Sequence, residues 1–378
     1  VKSFTTKDKA PKLLDFLCAG CYVSGMQGAE IKQRDPFIDL ARLIAIFLII
    51  VGHANELNRI PGVISPLLSI ITNIASYRYV VFIFFLFAGY FAKPSEKCFN
   101  IRRTVDIFIP FAFYCVLGSL VSECLLCYYS SGAHSFEWGA LISAMGSMWE
   151  LLTPGNHYMW FLKVLMVFVF VSPVLLRMRP ETLLIIGGMF YLGSLYLEGV
   201  TSIPYFLQSK ALNSGFYFVG GIFLRKCLTL EKLSQSMDRV YLPAFVLLSV
   251  LAMLVILQVT TLSWAFIPLA GTCLMCVYVM SLSKLAMKIA PRVSLFCAQF
   301  GKCTFFVYAI HYILLDICWT YFSIHPIHKH VYGMLPFLFV GIAIALFYVI
   351  RKFAPGLSPY LLFLPAPDRK AKTVNQTN

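Results

Sequence analysis

The chain has 378 residues, of which 59% are apolar and 13% charged, and its mean hydropathy is +0.78. Water-soluble domains carry about 25% charged residues, so the composition excludes an ordinary soluble globule and selects lipid as the solvent. The formal charge of +14 is not gathered into the stripe that a nucleic-acid groove requires, which excludes nucleic acid as a partner.

Apolar runs recur near residues 37–57, 68–92, 104–127, 159–177, 182–198, 211–225, 240–259, 262–282, 303–323 and 331–350. Most approach the roughly 20 residues that a membrane-crossing helix needs. The expected fold is therefore all-α: a polytopic transmembrane helix bundle of about ten spans. Counted from a cytoplasmic N-terminus, all but six of the 31 Lys and Arg residues fall in inside segments. Arg59, Arg78, Lys210 and Lys329 fall outside, while Arg42 and Lys163 lie within spans. That asymmetry is the positive-inside signature and puts both termini in the cytoplasm. A Lys-rich start followed by the apolar stretch Leu13–Met26 imitates a signal peptide, but Asp15 interrupts a run already too short to span. The expected divisions are a cytoplasmic tail over 1–35, a transmembrane domain over 36–352 and a cytoplasmic tail over 353–378.

An ionisable side chain inside a span is costly unless it meets a partner or water, so each is a functional candidate. The first span carries Asp39, Arg42, His53 and, at its outer end, Glu56. Arg42 and His53 are eleven positions apart, which on a helix is about three turns and about 16 Å, so both point to nearly the same side. One stripe thus joins a cation at the inner mouth to an acid–base group deeper in the protein. Each member also has a plainer reading. Asp39 and Arg42 can neutralise each other at i, i+3, a lone His can bond a neighbouring helix, and Glu56 can sit at the surface or orient the His53 ring.

The third span opens on Asn100, Arg102 and Arg103. Adjacent arginines there anchor topology or bind phosphate through their guanidinium forks. The outer loop near 128–158 has no Lys or Arg, and the fourth span follows it through His157, Trp160 and Lys163. An aromatic belt with a snorkelling lysine reads the same way. The ninth span carries Tyr308, His311 and Asp316 among apolar neighbours, and His325, His328 and His330 follow, residue types that can bind metal but read better as a wet loop. Three C-x-x-C spacings, Cys18/Cys21, Cys124/Cys127 and Cys273/Cys276, lie too far apart along the topology to build a four-ligand zinc site, and no metal is expected.

Five stretches together resemble acyltransferase family 3, the integral membrane acyltransferases of cell-envelope glycans. Arg42 through His53 resembles that family's Arg-x10-His pattern. Phe84-Phe85-Leu86-Phe87-Ala88-Gly89-Tyr90 resembles its Phe-Phe-x-x-Ser-Gly-Phe/Tyr segment, with Ala88 in place of Ser. Arg102-Arg103 followed by Pro110 resembles its basic stretch, and His157-Tyr158-Met159-Trp160-Phe161-Leu162 its His-Leu-Trp-Phe-Leu segment. Gly301-Lys302-Cys303-Thr304 through Tyr308 and His311 resembles a late Gly-Lys-x-Ser-x-x-x-Tyr-x-x-His segment. The resemblance runs from about residue 35 to residue 350 and implies a multi-pass protein of the bacterial inner membrane. It implies O-acylation, commonly O-acetylation, with acyl-CoA (commonly acetyl-CoA) as donor and a glycan or lipid-linked sugar as acceptor. Polysaccharide, lipopolysaccharide and peptidoglycan are all permitted. Arg42 and His53 carry over as the essential pair, with Glu56 beside them, and Arg102 and Arg103 join Arg42 as ligands of the donor. His157, Trp160, Lys163, Tyr308 and His311 are the expected acceptor-side residues.

The imidazole at residue 53 suits either of two roles, general base toward a sugar hydroxyl or nucleophile that takes the acyl group itself. A transporter or flippase of a lipid-linked sugar or small acid also uses intramembrane charge, but the sequence shows no internal symmetry between halves. A glycan polymerase calls for basic residues in the large outer loop, which has none.

Overall fold

The computed structural model describes residues 35–54, 80–95, 97–129, 139, 142, 159–197, 208–256, 267–324 and 334–362. Among them every regular element is helical. In chain order these are α1 (Pro36–Ala54), α2 (Phe82–Tyr90), α3 (Ile101–Tyr129), α4 (Trp160–Arg177), α5 (Pro180–Tyr196) and α6 (Ser209–Cys227). There follow α7 (Leu230–Ile256), α8 (Ile267–Ile289), α9 (Pro291–Ala298), a 3-10 turn (Gln299–Cys303), α10 (Thr304–Ile324), α11 (Leu335–Phe353) and the short α12 (Ser358–Leu361). Each of the ten apolar runs overlaps a helix. Six lengths, Pro36–Ala54, Ile101–Leu125, Trp160–Arg177, Thr272–Ile289, Pro291–Cys318 and Leu335–Phe353, are long and apolar enough to cross a membrane. The chain is an integral membrane protein.

The helices wear their apolar side chains outward, which water would not permit. On α5, Leu184, Ile185, Met189 and Leu192 are exposed, while the inward face carries Leu183, Gly187, Tyr191 and Ser194. Lipid tails solvate such a surface, and helix contacts are then made by small residues that let backbones approach. Gly221 of α6 faces the Leu86 carbonyl and the backbone of Tyr90, while Gly89 of α2 faces the carbonyl of Phe218. A Cβ on Gly221 would stand 2.8 Å from the Tyr90 nitrogen. The Ala88-Gly89-Tyr90 segment is therefore a packing motif of the α2–α6 crossing.

α1 is the innermost of the candidate spans. Of its most apolar window 72% of residues are buried, against 28% for α3 and for α11. It packs against α8, α9, the 3-10 turn, α10 and α11. Around it, α2 lies on α6, α6 on α5, α7 on α8, and α3 on both α4 and α10.

The basic segments that alternate along the sequence meet at one end of the bundle. Arg177 donates to the carbonyls of Ser95 (3.0 Å) and Lys97 (3.5 Å), Arg225 to the carbonyl of Ala92, and Lys226 to that of Met178 (2.6 Å). Lys284 of α8 pairs with Asp238 of α7 at 3.0 Å and bonds the Ser234 hydroxyl at 2.7 Å. Arg177, Arg225 and Lys226 satisfy carbonyls that helix ends and turns leave open, so residues that signal topology also fasten the loops. The sequence did not disclose α9 and the 3-10 turn. They fall in a stretch that reads as a basic loop, where Pro291 opens a helix of only eight residues.

Candidate active site

The start of α1 is held from two sides. Ser283 of α8 donates its hydroxyl to the Phe37 carbonyl at 2.8 Å, and the Lys284 ammonium lies 4.7 Å from the centre of the Phe37 ring. On the other side Gly301 of the 3-10 turn lies against the α1 backbone, where a Cβ would stand 2.7 Å from the Asp39 Cα. A side chain at 301 would push the turn off α1, which gives that glycine of the Gly-Lys segment a steric reason.

Asp39, 5% exposed, pairs with Arg42 at 3.4 Å. The Arg42 guanidinium lies 5.1 Å from the centre of the Phe91 ring and 5.7 Å from that of Phe87. Aromatic faces attract a cation and hold its plane. The arginine is half-buried, so it is positioned, partly neutralised and still within reach of a ligand.

At the far end of α1, His53 meets α10. The Tyr312 hydroxyl is 2.9 Å from His53 Nε2 and 3.3 Å from Nδ1. The rings of His53 and Tyr312 are 4.8 Å apart, those of His53 and His311 5.6 Å, and those of His311 and Tyr312 4.3 Å. His311 is 0% exposed, its Nδ1 contacts the carbonyl of Tyr308 one turn back, and its Nε2 has no hydrogen-bond partner among the described residues. A neutral His53 can take a proton at one nitrogen while Tyr312 serves the other, because a phenol both donates and accepts.

The acceptor-side candidates gather less tightly. Tyr308 packs edge-on to Phe161 at 5.0 Å and lies 5.4 Å from His311. Trp160 lies beside Phe85 at 6.3 Å. Lys163 is 3% exposed, sunk in the core of α4's inner face and not snorkelling to a surface. Arg102 is exposed and Arg103 half-buried at the opening of α3, where Asn100 Oδ1 accepts the Arg103 N–H at 3.3 Å and Asp106 stands 3.9 Å from its guanidinium. Two cations in a first turn oppose the helix dipole. Asp106 offsets part of that cost. Glu56, His157, Cys18, Cys21 and the cluster His325, His328 and His330 lie outside the described residues. Cys124, Cys127, Cys273 and Cys276 are free thiols on α3 and α8.

Arg42 and His53 do not meet, since three helical turns separate them by about 16 Å. His53, His311 and Tyr308 do come together, and Tyr312 joins them. Tyr312 and Phe91 carry no motif in the sequence, and Phe87 figures there only inside the Phe84–Tyr90 segment. Tyr312 had one signal, its place next to His311 and one turn beyond Tyr308 on an otherwise apolar helix.

A family model described as an acyltransferase domain matches residues 35–350. That interval begins one residue before α1 and ends within α11, so it takes in both ends of the stripe. No curated protein and no solved structure matches the chain.

Proposed function

The chain belongs to acyltransferase family 3, and from that premise we propose that it moves an acyl group from cytoplasmic acyl-CoA, commonly acetyl-CoA, to a sugar hydroxyl of a surface glycan or its lipid-linked precursor. The protein is a membrane acyltransferase; the donor, the acceptor and the topology belong to this reading. The ten apolar runs of the sequence are, in this reading, spans of a bacterial inner membrane with both ends of the chain in the cytoplasm. The positive-inside bias supports that orientation, as does the meeting of the Arg177, Arg225 and Lys226 segments at one end.

The observation that carries the reading is the furnishing of α1: a cation between aromatic rings at one end and an imidazole facing a phenol at the other. Arg42 clamps phosphate of the CoA moiety, with Arg102 and Arg103 as further ligands, because guanidinium forks match phosphate oxygens bidentately. The long, thin pantetheine arm of CoA suits a donor held at one end of α1 and reacting toward the other. At His53 the acceptor hydroxyl attacks the thioester carbon. The C–O bond forms, the C–S bond breaks, and the hydroxyl proton passes to His53, which returns it to the departing thiolate. His157, Trp160, Lys163, Tyr308 and His311 serve the acceptor in this reading, and Glu56 orients the His53 ring.

Mass spectrometry of surface glycans from cells with the gene, without it and with His53→Ala tests the assignment. The acyl mass is expected only with the intact gene. Normal acylation under His53→Ala refutes the catalytic role of the ring, whereas altered chain length or intracellular accumulation of a lipid-linked sugar supports polymerisation or transport in its place.

A further inference from the structure

Asp316 of α10 is an ionisable group that the proposed reaction, as stated above, does not use. α1 and α10 run in the same direction: Gly301, just before α10, lies against the Asp39 backbone, and Tyr312 meets His53 at the other end of α1. Tyr308, Tyr312 and Asp316 are spaced by four and form one stripe. Asp316 therefore stands about 6 Å along the helix beyond Tyr312, on the side away from Arg42. That stripe is turned into the bundle. Ala309 and Ile313, which flank Asp316 around the helix, are buried, and Ile313 faces α3, where a Cβ on Gly118 would stand 3.7 Å from it. The lipid face of α10 is a different one, marked by the exposed Ile317 and Tyr321. Asp316 is half-buried, and among the described residues it makes no hydrogen bond or ion pair. Its side chain is too short to snorkel as a lysine does, and a carboxyl so placed is costly unless it meets water or a polar ligand.

We propose that Asp316 is a specificity-determining residue of the acyl transfer: its carboxylate accepts hydrogen bonds from hydroxyls of the acceptor sugar that neighbour the one being acylated, which makes the acceptor an uncharged sugar. The inference rests on His53 as the base and adds the class of acceptor. The one-turn offset between Tyr312 and Asp316 is roughly the width of a pyranose ring. A sugar whose reacting hydroxyl meets the His53 ring thus brings a further hydroxyl to the carboxyl. Two carboxylate oxygens offer several lone pairs and no donor, which matches the adjacent hydroxyls of a sugar, and hydrogen bonds to an ionised acceptor are the strong ones. The same group repels a uronic or sialic acid in that position, because like charges are costly where little water screens them. Asp316 takes no proton and makes no covalent bond in the transfer. The hydroxyl proton passes to His53 and on to the thiolate as before.

Two independent readouts test this role. The first is the position of the acyl group. Fragmentation mass spectrometry of surface glycan from cells with and without the gene is expected to place it on an uncharged sugar with a free neighbouring hydroxyl. An acyl group on a uronic or sialic acid, or on a sugar without such a hydroxyl, overturns the inference. The second uses membranes carrying the unchanged protein, Asp316→Asn, Asp316→Leu or His53→Ala, given radiolabelled acetyl-CoA and the glycan extracted from gene-deletion cells. Asparagine keeps one accepting oxygen and loses the charge, whereas leucine fills a similar space and has neither. KM for the glycan is expected to rise about tenfold in Asp316→Asn and about a hundredfold in Asp316→Leu, with KM for acetyl-CoA unchanged and both variants present in normal amounts. Unchanged transfer by the leucine variant, equal rises in KM for both substrates, or loss of the variants from the membrane makes Asp316 a packing group and overturns the inference. If the two glycans do not differ, the unchanged protein incorporates no label, or His53→Ala transfers normally, it is the underlying reading that has failed. An inactive His53→Ala beside a fully active Asp316→Leu sinks only the present proposal.

Discussion

In its first two turns α1 carries a charged pair, Asp39 and Arg42, with the rings of Phe87 and Phe91 against the arginine. At its last turn it carries an imidazole that meets a phenol and a second imidazole. The first end keeps a permanent cation with its counter-ion and orients it; such a group binds an anion but moves no proton near neutral pH. The second end assembles groups that exchange protons without a permanent charge, and such groups do chemistry but hold a phosphate poorly. One buried helix sets the distance between the two ends.

Substitutions at the two ends sharpen this contrast, and the largest effect is expected at His53. His53→Ala should lower kcat by about a thousandfold or more, the range of a lost general base, with normal amounts of protein in the membrane. Arg42→Ala should instead raise KM for acyl-CoA about 10- to 100-fold, as loss of a charge-assisted contact does, and leave kcat within a few-fold. Arg42→Lys keeps the charge without the fork and should recover only part of that loss. A smaller change, about tenfold in kcat with KM unmoved, is expected of Tyr312→Phe, which keeps the ring and deletes the hydroxyl that orients His53. The smallest effect on turnover is expected at Gly301. Adding a methyl by Gly301→Ala forces the turn off the Asp39 backbone at about 1–3 kcal/mol, read as a lower melting temperature and a raised KM, with kcat little changed. Should Gly301→Ala lower kcat alone, the two ends would not be separable as described.

Much of this was legible from the sequence where lipid imposes a rule. The apolar runs mark helices because backbone polar groups in hydrocarbon must be satisfied within the segment, and each run overlaps a helix. Arg42 and His53 stood out because charge inside a span is rare. The boundaries were less legible. α7 begins at Leu230, well before its apolar run near 240, because a helix continues into the polar layer where hydropathy no longer marks it. Partners across helices were the hidden part. Nothing local in Tyr312 says that it will face His53, 259 positions earlier, and nothing in Phe87 or Phe91 says that they will flank Arg42. Lys163 shows the reverse error. A lysine near a helix end reads as snorkelling, yet the inward turn of α4 buries it.

The division of labour along α1 is tested most directly by equilibrium binding of radiolabelled acetyl-CoA to the purified, full-length His53→Ala protein. Binding as tight as that of the unchanged protein, with no transfer of the label, is the predicted result. Loss of binding on removing an imidazole three turns from the arginine clamp, or continued transfer without it, would contradict the account.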